Sequence, residues 1–410
     1  MKPGHLKKLL NRRRKLLRAT ALSLALGAAG AAGPGSALAN TATDKQLNRP
    51  VKYAPTGKPS DGDWSDIQPP KIPFDRPHID AELERIYREV SDGRLNRAID
   101  RVNSLIDQYP NFRVAYLIRG DLYTLRSGKP LASVGDVRDA PLNKLATLTE
   151  LREEAIARLR AYRIRPDHNQ IPRELVNLRS DQKYAILVDT LRSRLFIYEN
   201  AAGGAPRLIT DFYISQGKAG SNKMREGDNK TPLGVYTITD LLPKHKLTDF
   251  YGSLALPLDY PNEWDKRQGK TGHGIWLHGI PSNQISRPPK ASEGCVVLSN
   301  ADIDKLQRYV KVGNTPVLIT ENINFIAKNI WLSERQDILR VLASVRTTTG
   351  REINPAQAAI MRYPAENDML VVSIDEKPAK SNSKHAPARR QIYWQRDGRE
   401  WRVVHEAQTS

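Results

Sequence analysis

The chain contains a single cysteine, Cys295, in a sequence setting that could support covalent chemistry. Cys295 follows Gly294 and precedes the apolar run Val296–Leu298, and His278 ends another short apolar run earlier in the chain. An imidazole close to a thiol can accept its proton and leave a thiolate–imidazolium pair, which is a much stronger nucleophile than the thiol. Cys295 is therefore the candidate nucleophile of an acyl-transfer reaction, and His278 is the candidate general base.

Each of these residues also has an ordinary structural interpretation. Cys295 could be a buried core cysteine, and His278 could be a hydrogen-bonded histidine of a strand. Together with His273 they could instead bind zinc. Zinc ligands, however, usually come in close pairs such as C-x2-C or H-x3-H, and the sequence has no such pair here. We therefore expect no metal and no cofactor.

Residues beside the candidate pair predict how a substrate is held. In an alternating strand, Trp276 and His278 face the side opposite to their aliphatic neighbours. Backbone N–H groups in the turn before Cys295 could stabilise the oxyanion that forms when a carbonyl is attacked. The predicted oxyanion and positioning residues are Ser292, Glu293 and Gly294, and the predicted substrate-binding residues are Trp276, Gly279 and Arg287.

The elements that must position these residues are predicted to form a mainly β domain with one helix over 181–322. Period-two alternation favours strands, and clusters of Gly, Asn and Pro favour turns. Ser299 followed by Asp302 is typical of a capped helix start. The strands and turn-rich segments expected here include Tyr184–Asp189, Arg194–Tyr198, Gln216–Gly220, Gly227–Pro232 and a strand over Gly274–His278.

The first 39 residues are typical of a secretory signal peptide. A basic region precedes an uncharged stretch, Ala19–Gly33, and Ala37–Ala39 offers an A-x-A cleavage site. We therefore predict a signal peptide over 1–39 and a loose linker over 40–76, with the mature protein exported to the periplasm or cell wall. An uncleaved anchor is the alternative. Arg13-Arg14 also matches twin-arginine signals, so the export route stays open.

The chain has a formal net charge of +19, which restricts its partners. Basic exported proteins can bind anionic lipid headgroups or the carboxylates of the cell wall. Nucleic acid is the other usual partner of such charge, but export argues against it and the sequence has no nucleic-acid motif. After signal cleavage we expect no integral membrane domain, since no later segment is long and apolar enough.

A helical module is predicted between the linker and the β domain. Apolar residues recur at helical spacing from Ile79, with Gly93 and Pro110 at the expected breaks. This arrangement over 77–165 resembles a tetratricopeptide unit of about one and a half repeats. Such a module could bind a protein partner.

The β domain carries several motifs in an order that resembles one enzyme family. They are Gly217-x-x-Gly220, Gly227-Asp228-x-x-Thr231-Pro232-x-Gly234, Leu277-His278-Gly279 and Ser292-x-Gly294-Cys295. Residues 183–320 thus resemble the catalytic domain of the L,D-transpeptidases, also called the YkuD or ErfK family. The resemblance implies a β-sandwich-like domain without a metal, in which Cys295 is the nucleophile and His278 is the base. It also implies that backbone around Glu293 and Gly294 forms the oxyanion hole.

Two residues depart from the usual family motif. Glu293 stands where the family usually has histidine, and Val297 stands where it usually has arginine. An acid near the thiolate would raise the pKa of the thiol unless Glu293 points away or holds a basic group. Substrate handling could therefore differ from that of the common members.

The C-terminal region extends the resemblance. A branch of the family with an acid at the position of Glu293 includes cell-shape-determining L,D-carboxypeptidases, which carry a domain resembling nuclear transport factor two. Residues 330–410 resemble a shortened form of that α+β domain, with a helix capped by Ser333 and a hairpin at Asp397-Gly398. The expected fold class is therefore multidomain: a helical module, a mainly β domain and a small α+β domain.

The activity that the resemblance implies is acyl transfer on peptidoglycan stem peptides. Cys295 would attack the carbonyl before the terminal D-Ala of a tetrapeptide stem, release D-Ala and form a thioester. An amine from another stem would then give a cross-link, which makes the chain a transpeptidase. Water would give a tripeptide, and a protein lysine or a D-amino acid is a further acceptor. A non-catalytic cell-wall scaffold is the alternative outside enzymes.

Overall fold

The chain is described here from a computed structural model. The structure describes residues 78–129, 131, 134–135, 141–163, 165–167, 169–201, 204–344, 354, 357–375, 389–398 and 400–409. The predicted signal peptide, 1–39, and linker, 40–76, lie outside these residues. Within the described ranges, no helix is both long enough and apolar enough to cross a membrane.

The first described elements are the predicted N-terminal helices. They are α1 (His78–Ser91), α2 (Leu95–Gln108), α3 (Arg113–Arg126) and α4 (Leu142–Arg163). Gly93 turns the chain between α1 and α2 with a φ of +73°, a conformation that favours glycine. Apolar side chains at helical spacing, such as Ile99, Val102 and Ile106 of α2, form one buried face. These faces pack together into the core of the helical module.

Strands dominate the chain after residue 169. In chain order they are β1 (Gln170–Pro172), β2 (Leu175–Asn177), β3 (Tyr184–Asp189), β4 (Arg194–Glu199), β5 (Arg207–Tyr213), β6 (Gln216–Gly217), β7 (Gly234–Thr237), β8 (Leu242–Pro243), β9 (Leu254–Pro257), β10 (Trp276–His278), β11 (Lys290–Ser292), β12 (Val296–Val297), β13 (Pro316–Thr320), β14 (Phe325–Ala327), β15 (Ala358–Arg362), β16 (Met369–Asp375), β17 (Arg389–Asp397) and β18 (Glu400–Thr409). The helices among them are α5 (Glu263–Arg267), α6 (Asn300–Leu306) and α7 (Lys328–Ser344).

The β domain is built on two sheets that share a core. One sheet has the order β5-β4-β3-β13-β7 and the other has the order β12-β10-β9-β8. β3 and β13 are parallel, whereas β13 and β7 are antiparallel. Apolar side chains from both sheets pack together with Ile303 and Leu306 of α6, and Ser299 caps that helix by accepting from the Asp302 N–H. The predicted mainly β domain with a capped helix is confirmed.

A third sheet has the order β18-β17-β16-β15-β2 and forms the predicted α+β region together with α7. Its edge strand β2 precedes the β domain in sequence, so the sheet recruits residues from outside the predicted interval 330–410. On one face, side chains such as Met361 and Val371 share a core with Leu187 and Leu318 of the β domain. The other face packs against α7. The hairpin at Asp397-Gly398 forms as predicted.

Two local predictions from the sequence were wrong. Helix α7 begins at Lys328, so Ser333 lies inside it and does not cap it. The earlier start lets the buried Trp331 donate from its indole nitrogen to the Leu175 carbonyl at 2.9 Å. The strand that ends at His278 begins only at Trp276, because Gly274 adopts a φ of +71° that a regular strand cannot contain.

Candidate active site

His278 and Cys295 come together because their segments are neighbours in one sheet. β10 and β12 are parallel, with Leu277 opposite Val296 and His278 opposite Val297. Side chains at alternate positions share a face, so Cys295, two residues before Val297, lies on the same face as His278. The sequence placed these residues in different segments, and the sheet register brings their side chains to one side.

His278 is held in a single orientation. Its Nδ1 lies 2.7 Å from the carbonyl oxygen of Gly279, and its side chain is almost fully buried. Because a carbonyl oxygen can only accept, Nδ1 carries the proton and Nε2 keeps a free lone pair. Burial lowers the pKa of His278 to about 4, against the opposing effect of the Gly279 carbonyl, and the charge of Arg287 lowers it further. The imidazole is therefore neutral at physiological pH and can act as a base.

The Cys295 thiol is half-buried and protonated at rest. Its Sγ donates to the Gly274 carbonyl at 3.5 Å, and within the described part of the chain no hydrogen bond joins it to His278. Burial raises the pKa of the thiol, which outweighs a backbone hydrogen bond from Trp276, and the charge of Glu293 raises it further. Because the pKa of the thiol is raised and that of the imidazole is lowered, both groups are neutral at rest, and a thiolate–imidazolium pair would form only during the reaction.

The turn before Cys295 is fixed by Ser292. The Ser292 hydroxyl donates to the Cys295 carbonyl at 2.6 Å and accepts from the Gly294 N–H at 3.1 Å. Gly294 has a φ of +131°, and a Cβ there would lie 2.8 Å from the Lys230 carbonyl oxygen, so only glycine fits. Because the Gly294 N–H is already bonded, the remaining candidate oxyanion donors are the N–H groups of Glu293 and Cys295.

Glu293 holds a basic group at the entrance of the site. Its side chain is 81% exposed, and its carboxylate lies 3.6 Å from the Lys218 ammonium. The pair is exposed and does not cancel the effect of the carboxylate, which still raises the pKa of the Cys295 thiol. Val297, at the family's arginine position, is buried, and its N–H donates to the Ser215 carbonyl at 2.8 Å.

An aromatic wall surrounds the imidazole. The Tyr251 ring centroid lies 5.1 Å from that of His278 and 4.7 Å from that of Trp276. The Phe250 ring lies 6.1 Å from His278, and the Arg287 guanidinium lies 5.3 Å above Phe250. The predicted substrate-binding residues Trp276 and Arg287 thus meet at this wall. Phe250 and Tyr251 were missed, since a lone aromatic pair in a loop resembles any packing pair.

Gly279, the third predicted substrate-binding residue, has a packing reason to be glycine. A Cβ at Gly279 would lie 2.2 Å from Oδ1 of Asn300. That oxygen accepts from the N–H groups of Ser253 and Ile280, both at 3.1 Å, while Nδ2 donates to the Ile280 carbonyl at 2.8 Å. Asn300 therefore braces the end of β10, directly after His278. This role could not be predicted from the sequence, because the only local signal at Asn300 was a helix start.

The loop after β6 is organised by a buried ion pair. Asp228 accepts from the Lys223 ammonium at 2.9 Å and from the N–H groups of Met224, Arg225 and Lys230. Burial opposes ionisation of Asp228, but these donors outweigh it and hold its pKa at about 2. Asp228 therefore has a structural role in this loop. The charge of Lys223 in turn lowers the pKa of Cys295.

His273 lies on the rim of the site. Its side chain is 83% exposed, and Nδ1 is 3.7 Å from the Glu226 carboxylate. Among the described residues, no three His, Cys, Asp or Glu side chains converge as a metal site would require. The structure thus groups Cys295 and His278 with Trp276 and Arg287, and it leaves His273 at the edge.

Comparison with known proteins gives a family for the β domain. Residues 183–319 match the family model of the L,D-transpeptidase catalytic domain, YkuD. Bd1075 of Bdellovibrio bacteriovorus is 27% identical, with 58% of this chain and 98% of that chain covered and a TM-score of 0.47. The helical cell shape determining protein Pgp2 of Campylobacter jejuni is 22% identical, covers 58% and 95%, and has a TM-score of 0.44. An L,D-transpeptidase from Mycobacterium smegmatis is 15% identical, covers 34% and 58%, and has a TM-score of 0.23. No curated protein matches the chain.

Proposed function

We propose that the chain is an exported, cysteine-dependent L,D-transpeptidase acting on peptidoglycan stem peptides, because residues 183–319 match the model of the L,D-transpeptidase catalytic domain. The observation that carries the proposal is the position of half-buried Cys295 and buried His278 on one face of adjacent strands, with Nδ1 of His278 bound to the Gly279 carbonyl so that Nε2 can act as the base. A scaffold that only binds would need neither an accessible thiol nor an imidazole with its Nε2 free.

In the first half-reaction Cys295 attacks the carbonyl between the L-centre of the third stem residue and the terminal D-Ala. Nε2 of His278 takes the thiol proton as the S–C bond forms. The same proton then passes to the nitrogen of D-Ala as the C–N bond breaks, which leaves a thioester on Cys295. Since both groups start neutral, charge separation develops only during attack, when the oxyanion is stabilised by backbone N–H groups.

We propose that Arg287 binds the carboxylate of the substrate. Its guanidinium lies over the Phe250 ring at the aromatic wall, and its charge lowers the pKa of His278 and, together with Lys223, that of Cys295. Guanidinium groups bind carboxylates through paired hydrogen bonds. Because Val297 stands where the family usually has arginine, Arg287 supplies a cation from a different position. We assign it to the α-carboxylate of the terminal D-Ala.

The exposed carboxylate of Glu293 favours an amine as acceptor. Stem-peptide acceptors carry an ammonium group, and an acid at the entrance attracts it towards the thioester. Once the ammonium has lost one proton to solvent, the neutral amine attacks the thioester carbonyl, and His278 takes its second proton and passes it to Sγ of Cys295 as the C–S bond breaks. Transpeptidation is therefore our first proposal.

Hydrolysis by water is the second candidate, and the burial of His278 favours it. The base that activates the acceptor is only 1% exposed and lies behind Phe250 and Tyr251. Water reaches such a nitrogen more easily than the side chain of a second stem does. The product would be a tripeptide, as in an L,D-carboxypeptidase.

Incubation of the mature protein with purified disaccharide-tetrapeptides, followed by mass spectrometry, tests both candidates. Cross-linked dimers with release of D-Ala support transpeptidation, and disaccharide-tripeptides support carboxypeptidation. Cys295→Ala, with unchanged circular dichroism, should form neither product. Equal products from the wild type and this variant, or no product from either, would reject the enzyme for this substrate.

A further inference from the structure

The helical module contacts the segment that links His278 to Cys295. Ile285 packs against the apolar core of the module. Its neighbour Ser286 makes a side-chain hydrogen bond with the Glu154 carboxylate on α4. The next residue, Arg287, accepts through its carbonyl from the Tyr213 hydroxyl at 2.9 Å. Three consecutive residues are thus held from outside the active site.

One arginine of α4 connects these contacts. The Arg158 guanidinium lies 3.9 Å above the Tyr213 ring, and its Nε donates to Glu154 at 2.9 Å. Arg158 also pairs with Asp80 of α1, and Asp80 accepts from Arg194 of β4 at 2.7 Å. Both residues that hold the linking segment, Glu154 and Tyr213, are therefore fixed by the same buried guanidinium.

Arg287 connects these contacts to the active site, because its fixed backbone determines where its guanidinium lies. Its main chain is fixed by Tyr213, while its side chain lies over Phe250 and its Nε is 3.3 Å from the Gln284 amide oxygen. The charge of the guanidinium acts on both His278 and Cys295. A shift of the Arg287 backbone would move that charge relative to the thiol and to a bound carboxylate.

We propose that the helical module is a positioning part of the active site, in which Glu154 on α4 and Tyr213 on β5 fix residues 285–287 and thereby place the Arg287 guanidinium over Phe250, at the aromatic wall next to His278. Its effect on substrate binding rests on the function proposed above, whereas its effect on the thiol does not. An unrestrained loop residue loses backbone conformational freedom when it is ordered, which opposes binding. The module supplies that ordering before substrate binds.

The test substitutes Tyr213→Phe in the full chain, which removes the hydrogen bond to Arg287 and keeps the ring under Arg158. Tyr198→Phe is the matched control, since Tyr198 is buried on the neighbouring strand β4 and its hydroxyl has no hydrogen-bond partner among the described residues. The rate of Cys295 alkylation by iodoacetamide is measured against pH, which needs no substrate. The charged groups that act on Cys295 are Glu293, Lys223 and Arg287, and neither substitution alters them.

Tyr213→Phe is expected to raise the apparent pKa of the Cys295 thiol, because Arg287 moves away, while Tyr198→Phe leaves the alkylation profile unchanged. KM for a tetrapeptide stem should rise about fivefold, the equivalent of one buried hydrogen bond, with a smaller change in kcat. Ser286→Ala, at a half-buried position, should shift the profile in the same direction and keeps the test available if Tyr213→Phe unfolds.

A double substitution decides whether the effect passes through Arg287. If Tyr213 acts by placing Arg287, Tyr213→Phe adds nothing to the profile of Arg287→Gln. Full additivity, or wild-type profiles for both Tyr213→Phe and Ser286→Ala, would overturn the proposal. A wild type that fails to process stems while Tyr213→Phe still shifts alkylation would reject the proposed function and leave this inference standing.

Discussion

Two regions of this chain bury ionisable side chains, and burial has opposite consequences in them. Between the helical module and the β domain, burial alone would raise the pKa of Asp80. The charges of Arg194 and Arg158 outweigh this effect and hold that pKa at about 2. In the active site, burial moves the pKa of His278 downwards and that of Cys295 upwards, so both groups become neutral.

The difference shows what an opposite charge in contact does. A buried ion with a well-placed partner stays ionised and fixes geometry, and removal of one partner leaves an uncompensated charge. Burial of a group without such a partner shifts its pKa so that the neutral form is favoured. The ion pairs of Asp80, Arg158, Arg194 and Asp211, here called the interdomain cluster, therefore stabilise the fold. The active site instead keeps a neutral acid and a neutral base, which become charged only during the reaction.

The largest expected effect comes from removal of the active-site base. His278→Gln should lower turnover of the stem substrate by about 10²- to 10⁴-fold, since proton transfer by a positioned side chain contributes that much. The measurement is the initial rate of D-Ala release by folded protein. His273→Gln is the matched control on the exposed rim and should keep wild-type turnover. A loss of less than about tenfold in His278→Gln would show that another group takes the thiol proton.

In the interdomain cluster, removal of a charged residue should lower the stability of the fold. Arg194→Met should lower the free energy of unfolding by about 3–5 kcal/mol, because Asp211 and Asp80 lose a buried partner. Arg207→Met on the adjacent strand is the control: its pair with Glu199 is exposed, and its loss should cost less than about 1 kcal/mol. Urea denaturation measures the free energy of unfolding of both variants. Equal decreases would mean that burial does not increase the contribution of these ion pairs to stability.

The two regions should also lose stability in different pH ranges. The pKa of His278 is about 4 in the folded chain and ordinarily 6.5, so the unfolded chain takes up a proton at a higher pH than the folded chain does. The free energy of unfolding therefore decreases as the pH falls from 6.5 to 4. This decrease amounts to about 3 kcal/mol. The contribution of Asp80, with a folded pKa of about 2 against 3.8, is lost only below pH 4.

Carboxyl groups whose pKa is raised by burial require that this measurement be made by difference. Burial raises the pKa of Asp259 and of Asp302 to about 6, so their contributions increase as pH falls and oppose that of His278. They are unchanged in His278→Gln, and subtraction of its unfolding curves from those of the wild type removes them. A difference that stays flat between pH 4 and 6.5 would contradict the lowered pKa of His278.

Much of the fold could be predicted because its signals are local. Alternation predicted β3 and β4, helical spacing predicted the N-terminal helices, and Asp397-Gly398 predicted the last hairpin. The edge strand β2 could not be predicted. It has three residues, and its partner β15 lies far away in sequence, so only tertiary packing selects it.

The active site shows the same division. The motifs identified the candidate nucleophile and base, but their protonation depends on burial and on Lys223, Glu293 and Arg287, which only the folded chain brings near. Asn300 was missed because its brace joins two loops that are distant in sequence. The interdomain cluster gave no local signal, since Asp80, Arg158 and Arg194 belong to three separate elements.

The smallest expected effect tests how far an exposed charge reaches the neutral pair. Glu293→Gln should lower the pKa of the Cys295 thiol, because the Glu293 carboxylate raises it at present. Since this side chain is 81% exposed, alkylation at pH 7 should accelerate by less than about fivefold, the limit for exposed pairs.

Lys218→Gln should act in the opposite direction by leaving Glu293 without its cation. Both effects should largely vanish in 1 M salt, where the screening length is about 3 Å, whereas the shift caused by burial should persist. A salt-resistant acceleration would mean that Glu293 acts on the thiol through a contact rather than through its field.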